Sequence, residues 1–388
     1  MVDNTNKKGP ENPVKGGLSH ELLNNGELSP ELPDKGELSP ELANKGEILH
    51  ESSNEVVNVV VDVMGGDDAP GVVLDGIRQV LASTDPEDIN TIFTLVGAAD
   101  ALESIQNEHP ERIHAVATTE VIEMGEHPAH AVRKKKDSSI VVGCHLVKDG
   151  KADAFFSAGS TGGAMTAATL IIGRVAGIKR PAIATLIPAP KGQVLLLDAG
   201  ANTDVTAEYL HQFAAMGEIY SREILQVKNP RVGLLNVGEE STKGSQLAQD
   251  AHALLQEQVA GFKGNAEGSD ILKGTFDVIV TDGFTGNIVL KTMEGLVTAL
   301  FSELKHIFYA STKNKLAAAM IKGDLSDLKD RLDMEIIGGA PLLGLAAPVV
   351  IGHGSSSAFA MKNGIRATAR AARQHLPEIT AAAIDIKG

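Results

Sequence analysis

Four glycine-containing segments of this sequence carry hydroxyl, amide and charged side chains, and each directly follows a short apolar run. They are AGSTGGAM at 158–165, DAGANTD at 198–204, VGEESTKGS at 237–245 and DGFTGNIVLK at 282–291. Glycine leaves backbone N–H groups accessible, and N–H groups at the start of a helix bind anions. Lys243 and Lys291 add positive charges of the kind that bind phosphate. The pattern therefore predicts an anion site.

A fifth segment, VVVDVMGGDDAPGVVLDG at 59–76, has the pattern of a strand, a glycine turn and a helix. The valines predict a buried strand that contains Asp62, and Gly65 and Gly66 allow a turn where a Cβ would clash. The apolar spacing that follows predicts a helix. Because two acids oppose direct phosphate contact, we expect Asp62 and Asp67 to orient neighbouring donors or to cap the helix.

Ordinary turn and capping chemistry is the competing interpretation of each loop. Ser160 and Thr161 are typical N-cap residues, and Asp282 before Gly283 is a common turn pair. Ligands of doubly wound sheets bind beyond the carboxyl ends of strands. Since four such loops follow predicted strands, we expect them to converge on one edge of the sheet.

The sequence lacks the standard signatures of nucleotide, metal and nucleophile sites. VGEESTKGS lacks the spacing of the P-loop, and GHGSSS at 352–357 lacks the third glycine of GxGxxG, so neither ATP nor NAD is favoured. His127 and His130 flank Pro128, which favours two solvent-facing histidines over a metal pair. Cys144 lies in an apolar stretch, where a buried thiol is expected. We therefore expect neither cofactor nor metal.

Strands that alternate with helices from residue 55 onward would position these loops. Apolar runs predict strands at 56–63, 91–96, 153–157, 182–187, 193–197, 231–236 and 277–281. Helical patterns lie between them, at 99–107, 138–149, 205–225 and 244–259. The alternation predicts an α/β fold with a doubly wound, mostly parallel sheet that helices cover on both faces.

Composition agrees with an aliphatic α/β protein and excludes several classes. The 388 residues are 43% hydrophobic and only 3% aromatic, with 40 glycines. A net charge of −15 argues against general nucleic-acid binding, which depends on neutralising phosphates. One cysteine excludes a disulfide framework. Neither a signal peptide nor an apolar run of about 18 residues is present, which predicts a cytoplasmic protein.

Residues 1–54 differ from the rest of the chain. They carry a ten-residue period, for example GELSPELPDK followed by GELSPELANK, and they are rich in acidic residues, glycine and proline without aromatics. Such a segment cannot bury enough apolar surface to offset its ordering entropy. We predict a disordered acidic tail that acts as a linker or binds a partner.

Two further segments bear on partners. VRKKKDSS at 132–139 is the dense basic cluster of an acidic chain, and it is either a solvated face or a docking site for an acidic partner. Residues 312–332 have apolar side chains near helical spacing, flanked by lysines. They predict two helices that pack on the core or in a dimer, or that contact a membrane surface.

In this order, MGGDDAP, SAGSTGGAM, LDAGAN, PRVGLLNVGEESTKG, DGFTGNIVLKTMEG and HGSSS resemble the bacterial phosphate acyltransferase family of phospholipid synthesis. The resemblance runs from about Val56 to the C-terminal helix. It implies transfer of a fatty acyl group from acyl-[acyl-carrier protein] to inorganic phosphate. A membrane glycerol-3-phosphate acyltransferase would then use the acyl phosphate.

The resemblance also implies an organisation for residues 55–388, the catalytic region. The fold would be similar to phosphate acetyltransferases and to isocitrate and isopropylmalate dehydrogenases. A homodimer and peripheral association with the inner face of the cell membrane are implied, with a helical segment at about 296–335 serving either contact.

For this reaction we expect phosphate to bind Ser160, Thr161 and the backbone of Gly162, with Lys243 supplying charge. Gly65 and Gly66 would leave room for the ligand. The other candidates are Asn202, Asn236 and Asn287 as amide donors, Asp282 and Glu239 as groups that orient Lys243 or accept a proton, Asp67 and Lys291 as substrate contacts, and Arg133, Lys134, Lys135 and Lys136 as the docking site for the acidic carrier protein.

Three departures from the family pattern concern the site and the tail. Ser160 and Gly163 stand where SAGNTGA is usual, Thr281 stands where cysteine is common, and the tail is an addition. Two competing functions remain: a short-chain phosphate acetyl- or butyryltransferase that uses coenzyme A, and a non-catalytic scaffold at the membrane surface.

Overall fold

The structure, a computed structural model, describes residues 55–189, 192–332 and 334–385. The predicted tail at 1–54 therefore lies outside the described residues. The predicted α/β fold is confirmed, because strands and helices alternate along the chain and build one mixed sheet of eleven strands.

The sheet has the strand order β3-β2-β1-β4-β11-β10-β5-β6-β9-β7-β8. The strands are β1 (Val57–Asp62), β2 (Thr91–Gly97), β3 (Ile113–Ala117), β4 (Ala154–Ser157), β5 (Ala182–Ala189), β6 (Gly192–Leu197), β7 (Val232–Leu235), β8 (Phe262–Ala266), β9 (Val278–Val280), β10 (Ala340–Leu343) and β11 (Val349–Ile351). All seven predicted strands are among them.

Fourteen α-helices connect or follow the strands in the described residues. They are α1 (Gly71–Leu81), α2 (Pro86–Ile89), α3 (Ala99–Gln106), α4 (Pro128–Lys134), α5 (Ser139–Lys148), α6 (Thr161–Ala167), α7 (Ala207–Glu223), α8 (Gln246–Gln258), α9 (Gly268–Lys273), α10 (Gly283–Tyr309), α11 (Thr312–Met320), α12 (Lys322–Leu332), α13 (Ala358–Arg373) and α14 (Leu376–Asp385). A π-helical turn, Ala168–Ile172, extends α6, and a 3₁₀ turn, Met334–Ile336, precedes β10.

Helices pack on both faces of the sheet, as a doubly wound fold requires. Along β1, Val59 and Val61 are buried with apolar residues of α1 and α13, while Val60 faces the opposite side and is buried with residues of α5. Each buried valine contributes about 1.5–3 kcal/mol by leaving water. The continuous valine run therefore reflects a strand that is covered on both faces.

The strand directions divide the sheet into two groups. β1, β4 and β11 run parallel to one another, but β10 pairs antiparallel with both β11 and β5, and β5 pairs antiparallel with β6. Because three reversals separate β11 from β6, the parallel strands β6, β9 and β7 point the opposite way. We call the edge at which β1, β4 and β11 end the first edge, and that at which β6, β7 and β9 end the second edge.

This topology corrects the expectation of one shared edge. The loop after β4 lies at the first edge, whereas the loops after β6, β7 and β9 lie at the second edge. The net reversal arises at the β5–β6 pair, because the two reversals at β11–β10 and β10–β5 cancel and leave β5 parallel to β4.

The two helices predicted for 312–332 are confirmed as α11 and α12, but they do not pack on the core of their own chain. No residue of α11 is buried, and the buried residues of the preceding α10 are Gly283 and Gly286. Large exposed apolar side chains lie along this segment, namely Leu296, Leu300, Ile307, Tyr309, Leu316 and Met320. None of the helices in the described part of the chain is both long and apolar enough to cross a membrane.

Candidate active site

At the first edge, the loops after β1, β4 and β11 interlock through their backbones. A Cβ on Gly65 would lie 2.5 Å from the backbone nitrogen of Gly159, so the first two loops touch directly. The Asp67 N–H donates to the Gly354 carbonyl (2.8 Å), and the Gly352 N–H donates to the Ser157 carbonyl (2.9 Å). The three loops therefore form one backbone unit, and only glycine fits where they are in contact.

The buried carboxylate of Asp62 stabilises this backbone unit through hydrogen bonds. The Asp62 side chain is 1% exposed and accepts hydrogen bonds from the Ser157 hydroxyl (2.7 Å) and the Met64 N–H (3.1 Å). The Ser157 oxygen in turn accepts from the Gly159 N–H (3.1 Å). Burial raises the pKa of Asp62, and these hydrogen bonds oppose that rise. The expectation that Asp62 orients neighbouring donors is confirmed.

Asp67 does not cap the helix that follows it. The N-cap of α1 is Pro70, which makes no side-chain capping bond, and Asp67 is exposed. Its backbone contact to Gly354 instead joins two loops of the first edge.

The β4–α6 junction has the capping geometry that the sequence predicted. The Ser160 hydroxyl oxygen accepts from the Gly163 N–H (3.2 Å), which leaves the hydroxyl hydrogen to donate elsewhere. Thr161 is exposed, and a Cβ on Gly162 would lie 2.7 Å from Cγ of Pro128. The first N–H groups of α6 have no partner within the helix, so the junction can accept an anion.

At the second edge, the loop after β6 folds around Asp198, an acid that the sequence analysis missed. Asp198 is fully buried and its carboxylate accepts five hydrogen bonds. The donors are the N–H groups of Ile183, Gly200, Ala201 and Asn202 and the side-chain amide of Asn202. Burial raises the pKa of Asp198, and these bonds oppose the rise. The sequence feature that could have identified Asp198 is an acidic residue directly after an apolar strand.

The start of α10 packs tightly on this loop. The Gly283 N–H donates to the Asn202 carbonyl (2.7 Å), and the Asn202 amide also donates to the Pro181 carbonyl (2.9 Å). Asp282 accepts from the N–H and the hydroxyl of Thr285, so it is the N-cap of α10. The exposed Asn287 reaches Gly200, with its Oδ1 3.6 Å from where a Cβ would stand.

Three side-chain amides shape the loop after β7 by holding its carbonyl groups. The donors and acceptors are Asn236 to the Lys243 carbonyl (3.1 Å), Gln249 to the Thr242 carbonyl (3.0 Å) and Asn265 to the Glu240 carbonyl (2.8 Å). The side chains of Glu239 and Lys243 are left exposed. Lys243 makes no ion pair within the described ranges, whereas Lys291 pairs with Glu294 (2.8 Å).

The predicted site residues thus fall into two groups. Gly65, Gly66, Asp67, Ser160, Thr161 and Gly162 lie at the first edge, and Asn202, Asn236, Glu239, Lys243, Asp282, Asn287 and Lys291 lie on the second-edge loops or on α10. β4 and β7 are six positions apart in the sheet, which is about 29 Å along the sheet at ~4.8 Å per strand. Ser160 and Lys243 therefore follow strands of opposite direction, and the role of Lys243 toward phosphate stays a prediction.

The basic cluster lies beside the first edge. It begins in α4, whose Pro128 contacts Gly162 at the start of α6. Arg133, Lys134 and Lys136 are exposed, but the Lys135 ammonium turns inward to the Glu126 carboxylate and the Val121 carbonyl.

The structure confirms that Cys144 is buried and that His127 and His130 face solvent. Burial raises the pKa of the Cys144 thiol, which disfavours the reactive thiolate. His127 and His130 are exposed, and the residues that the structure describes contain no cluster of three or more His, Cys, Asp or Glu side chains that would hold a metal ion.

Comparisons with known proteins agree with this fold and give the chain its relatives. Residues 57–379 match the family described as "Fatty acid synthesis protein". A phosphate acyltransferase of Halothermothrix orenii is 47% identical over 80% of this chain and 93% of its own. One of Desulfitobacterium hafniense is 46% identical over 84% of this chain and 99% of its own.

Among solved structures, a EutD phosphotransacetylase from Staphylococcus aureus has a similar fold. It superposes with a TM-score of 0.54 at 17% identity, over 85% of this chain and 99% of its own. A phosphotransacetylase from Streptococcus pyogenes gives a TM-score of 0.53 at 17% identity over 84% and 98%.

Proposed function

This chain belongs to the fatty acid synthesis protein family, and from that membership we propose the full reaction that it catalyses. It is an acyltransferase that transfers an acyl group to phosphate, as its phosphate acyltransferase relatives do. The proposed donor is acyl-[acyl-carrier protein], and the acyl phosphate product serves phospholipid synthesis. Identity of 47% across nearly the whole of a relative is the observation that carries this assignment.

The chemistry needs positioning more than a reactive side chain. A phosphate oxygen attacks the thioester carbonyl carbon, the C–O bond forms, and the C–S bond then breaks with its electron pair leaving on sulfur. The thioester is already activated and the thiolate leaves without a strong acid, so no acyl group needs to be bound covalently to the enzyme. The protein must hold phosphate at the carbonyl and stabilise the oxyanion that develops there.

We place the phosphate at the first edge. Ser160 has a hydroxyl hydrogen to donate, Thr161 adds an exposed hydroxyl, and the N–H groups at the start of α6 have no helical partner. Close contact at Gly65 and the turn at Gly66 keep side chains out of the space in front of the junction. These features support an acceptor site at the β4–α6 junction.

The second-edge group is proposed to contact the donor. Lys243 carries an exposed charge on a loop whose shape is fixed by Asn236, and a carrier protein with a long phosphorylated arm extends beyond the acceptor site. Asn202 and Asp282 hold the loops of this edge. The exposed Asn287 and Glu239 are available to polar parts of the donor, and Lys291 would exchange its ion pair with Glu294 for such a contact.

Lys243→Ala is expected to raise the KM of the acyl-carrier donor about 10-fold, because a charged hydrogen bond contributes about 1.5–3 kcal/mol. The KM of phosphate should stay within about twofold, because the acceptor binds at the other edge. Steady-state kinetics with each substrate varied in turn separates the two effects. Lys228→Ala, an exposed lysine before β7, is the matched control. A rise in phosphate KM alone contradicts the division into two groups.

The acidic carrier protein is proposed to dock on Arg133, Lys134 and Lys136, beside the acceptor site. Reversing these three charges should raise the donor KM about 10-fold at low salt and flatten its dependence on ionic strength. Lys135→Ala should instead lower the free energy of unfolding, because it strips the partner from Glu126. Lys151→Glu is the control, because Lys151 is exposed and precedes the start of β4, at the end away from the first edge. An unchanged donor KM in the triple variant contradicts this docking site.

We also propose that α10, α11 and α12 serve a homodimer and contact with the membrane surface. The exposed apolar side chains of α10 and α11 support a partner surface, since monomeric proteins rarely expose large apolar patches. Such a position would deliver acyl phosphate to a membrane glycerol-3-phosphate acyltransferase.

A donor comparison tests the proposed function. The purified chain is given phosphate with either a long-chain acyl-[acyl-carrier protein] or acetyl- and butyryl-coenzyme A, and acyl phosphate is trapped with hydroxylamine. Hydroxamate from the carrier donor is expected. Hydroxamate from the coenzyme A donors alone identifies a short-chain phosphate acyltransferase, and no product from any donor favours the scaffold.

A further inference from the structure

His353 stands at the point where the three loops of the first edge meet. It lies between Gly352, whose N–H donates to the Ser157 carbonyl, and Gly354, whose carbonyl accepts from the Asp67 N–H. A Cβ on Gly352 would lie 3.0 Å from Cβ of Ala158, and one on Gly354 would lie 3.1 Å from the Asp67 carboxylate. The backbone on both sides of His353 is therefore fixed against the loops that carry the acceptor site.

The imidazole ring has one committed nitrogen and one available nitrogen. The Ser355 N–H donates to Nδ1 (3.3 Å), and the Ser355 hydroxyl lies 2.9 Å from the same atom. Because a backbone N–H can only donate, Nδ1 is an acceptor, and the hydrogen of the neutral ring lies on Nε2. His353 is exposed, so this Nε2–H is accessible to a substrate.

We propose that His353 is a catalytic residue whose Nε2–H donates a hydrogen bond to the thioester carbonyl oxygen. This inference rests on the proposed function. When phosphate attacks, the π electrons of the carbonyl move to its oxygen, and the bond to Nε2–H strengthens as that charge develops. Collapse re-forms the carbonyl and expels the thiolate, which takes its proton from water. His353 keeps its own proton throughout.

Two amide replacements separate this role from a structural one. Asparagine at position 353 keeps an acceptor near the Nδ1 position for the Ser355 N–H but lacks a donor at the Nε2 position. Glutamine puts its amide near the Nε2 position and restores that donor. We expect His353→Ala and His353→Asn to lower kcat about 100-fold. The kcat of His353→Gln should be about 10-fold higher than that of these two variants, because the donor is restored. The KM of phosphate should change little in all three.

The kinetics are measured with acyl-[acyl-carrier protein] and phosphate, with circular dichroism and thermal unfolding as checks on folding. His109→Gln, at a half-exposed histidine in the connection before β3, should match the wild type. Recovery by asparagine but not by glutamine overturns the proposal and makes His353 a structural residue. Full activity of His353→Ala also overturns it. A wild-type chain without phosphate-dependent thioester cleavage instead overturns the proposed function.

Discussion

Replacing Gly286 by alanine should destabilise the protein by at least about 3 kcal/mol and leave little soluble enzyme. A Cβ at this position would lie 1.9 Å from the Asp198 carbonyl oxygen and 3.1 Å from Cγ2 of Thr281. The Asp198 loop cannot move aside, because its carboxylate holds five hydrogen bonds and the Asn202 carbonyl accepts from the Gly283 N–H. The start of α10 must therefore separate from the second edge.

Urea unfolding followed by circular dichroism measures this effect. Gly295→Ala is the matched control, because Gly295 lies in the same helix and a Cβ there would meet nothing within 4 Å. That change should stabilise the protein by about 0.5–1 kcal/mol through helix propensity. If Gly286→Ala unfolds within about 1 kcal/mol of the wild type, the described packing of α10 on the Asp198 loop is wrong.

The second large effect is expected from Gly65→Ala, which should lower kcat/KM for phosphate by about 100-fold or more while the protein stays folded. The new Cβ would lie 2.5 Å from the Gly159 nitrogen and 3.1 Å from the Ala158 carbonyl carbon, so the loop before Ser160 must shift. A displacement of about 1 Å at a positioning group costs on the order of 100-fold in rate.

Gly71→Ala provides the control for Gly65→Ala, because a Cβ at Gly71 would meet nothing within 4 Å and the helix that begins there is retained. Both variants are compared by phosphate-dependent kinetics and by thermal unfolding. Unchanged kcat/KM for phosphate in a well-folded Gly65→Ala protein would place the acceptor away from the first edge.

The local sequence was sufficient for the long apolar strands and for the caps. The pattern around Val59 predicts β1 because burial on both faces demands a continuous apolar run. Ser160 predicts the N-cap of α6 because that hydrogen bond involves a residue only three positions away.

Four strands were not predicted, and each for a physical reason. β3 and β8 are the outermost strands of the sheet, and polar residues such as His114 and Lys263 interrupt their apolar pattern, as is common in strands that have only one neighbour. β10 and β11 lie in GGAPLLGLAAPVVIG at 338–352, where glycine and proline residues interrupt the apolar run. The expectation of a single edge was wrong because β5 and β6, which follow each other too closely for a parallel crossover, pair antiparallel and reverse the direction of the sheet.

The assembly of the site depends on contacts between distant segments, which no local pattern encodes. Gly65 contacts the backbone of Gly159, and the Asp67 N–H forms a hydrogen bond with the carbonyl of Gly354, nearly 300 positions away. Composition also could not separate Lys135 from its neighbours, because its inward pairing with Glu126 depends on how α4 packs. His353 drew attention only as part of a failed glycine motif, and its place between the loops became visible in the fold.

Transfer of radiolabel from [³²P]phosphate to acyl phosphate tests the central claim most directly. The purified chain is incubated with long-chain acyl-[acyl-carrier protein] and labelled phosphate, and label in the organic extract is compared with the carrier thiol released. We predict one labelled acyl phosphate per thiol, with both lost when either substrate is omitted. Thiol release without labelled acyl phosphate would mean hydrolysis, and it would contradict phosphate as the acyl acceptor.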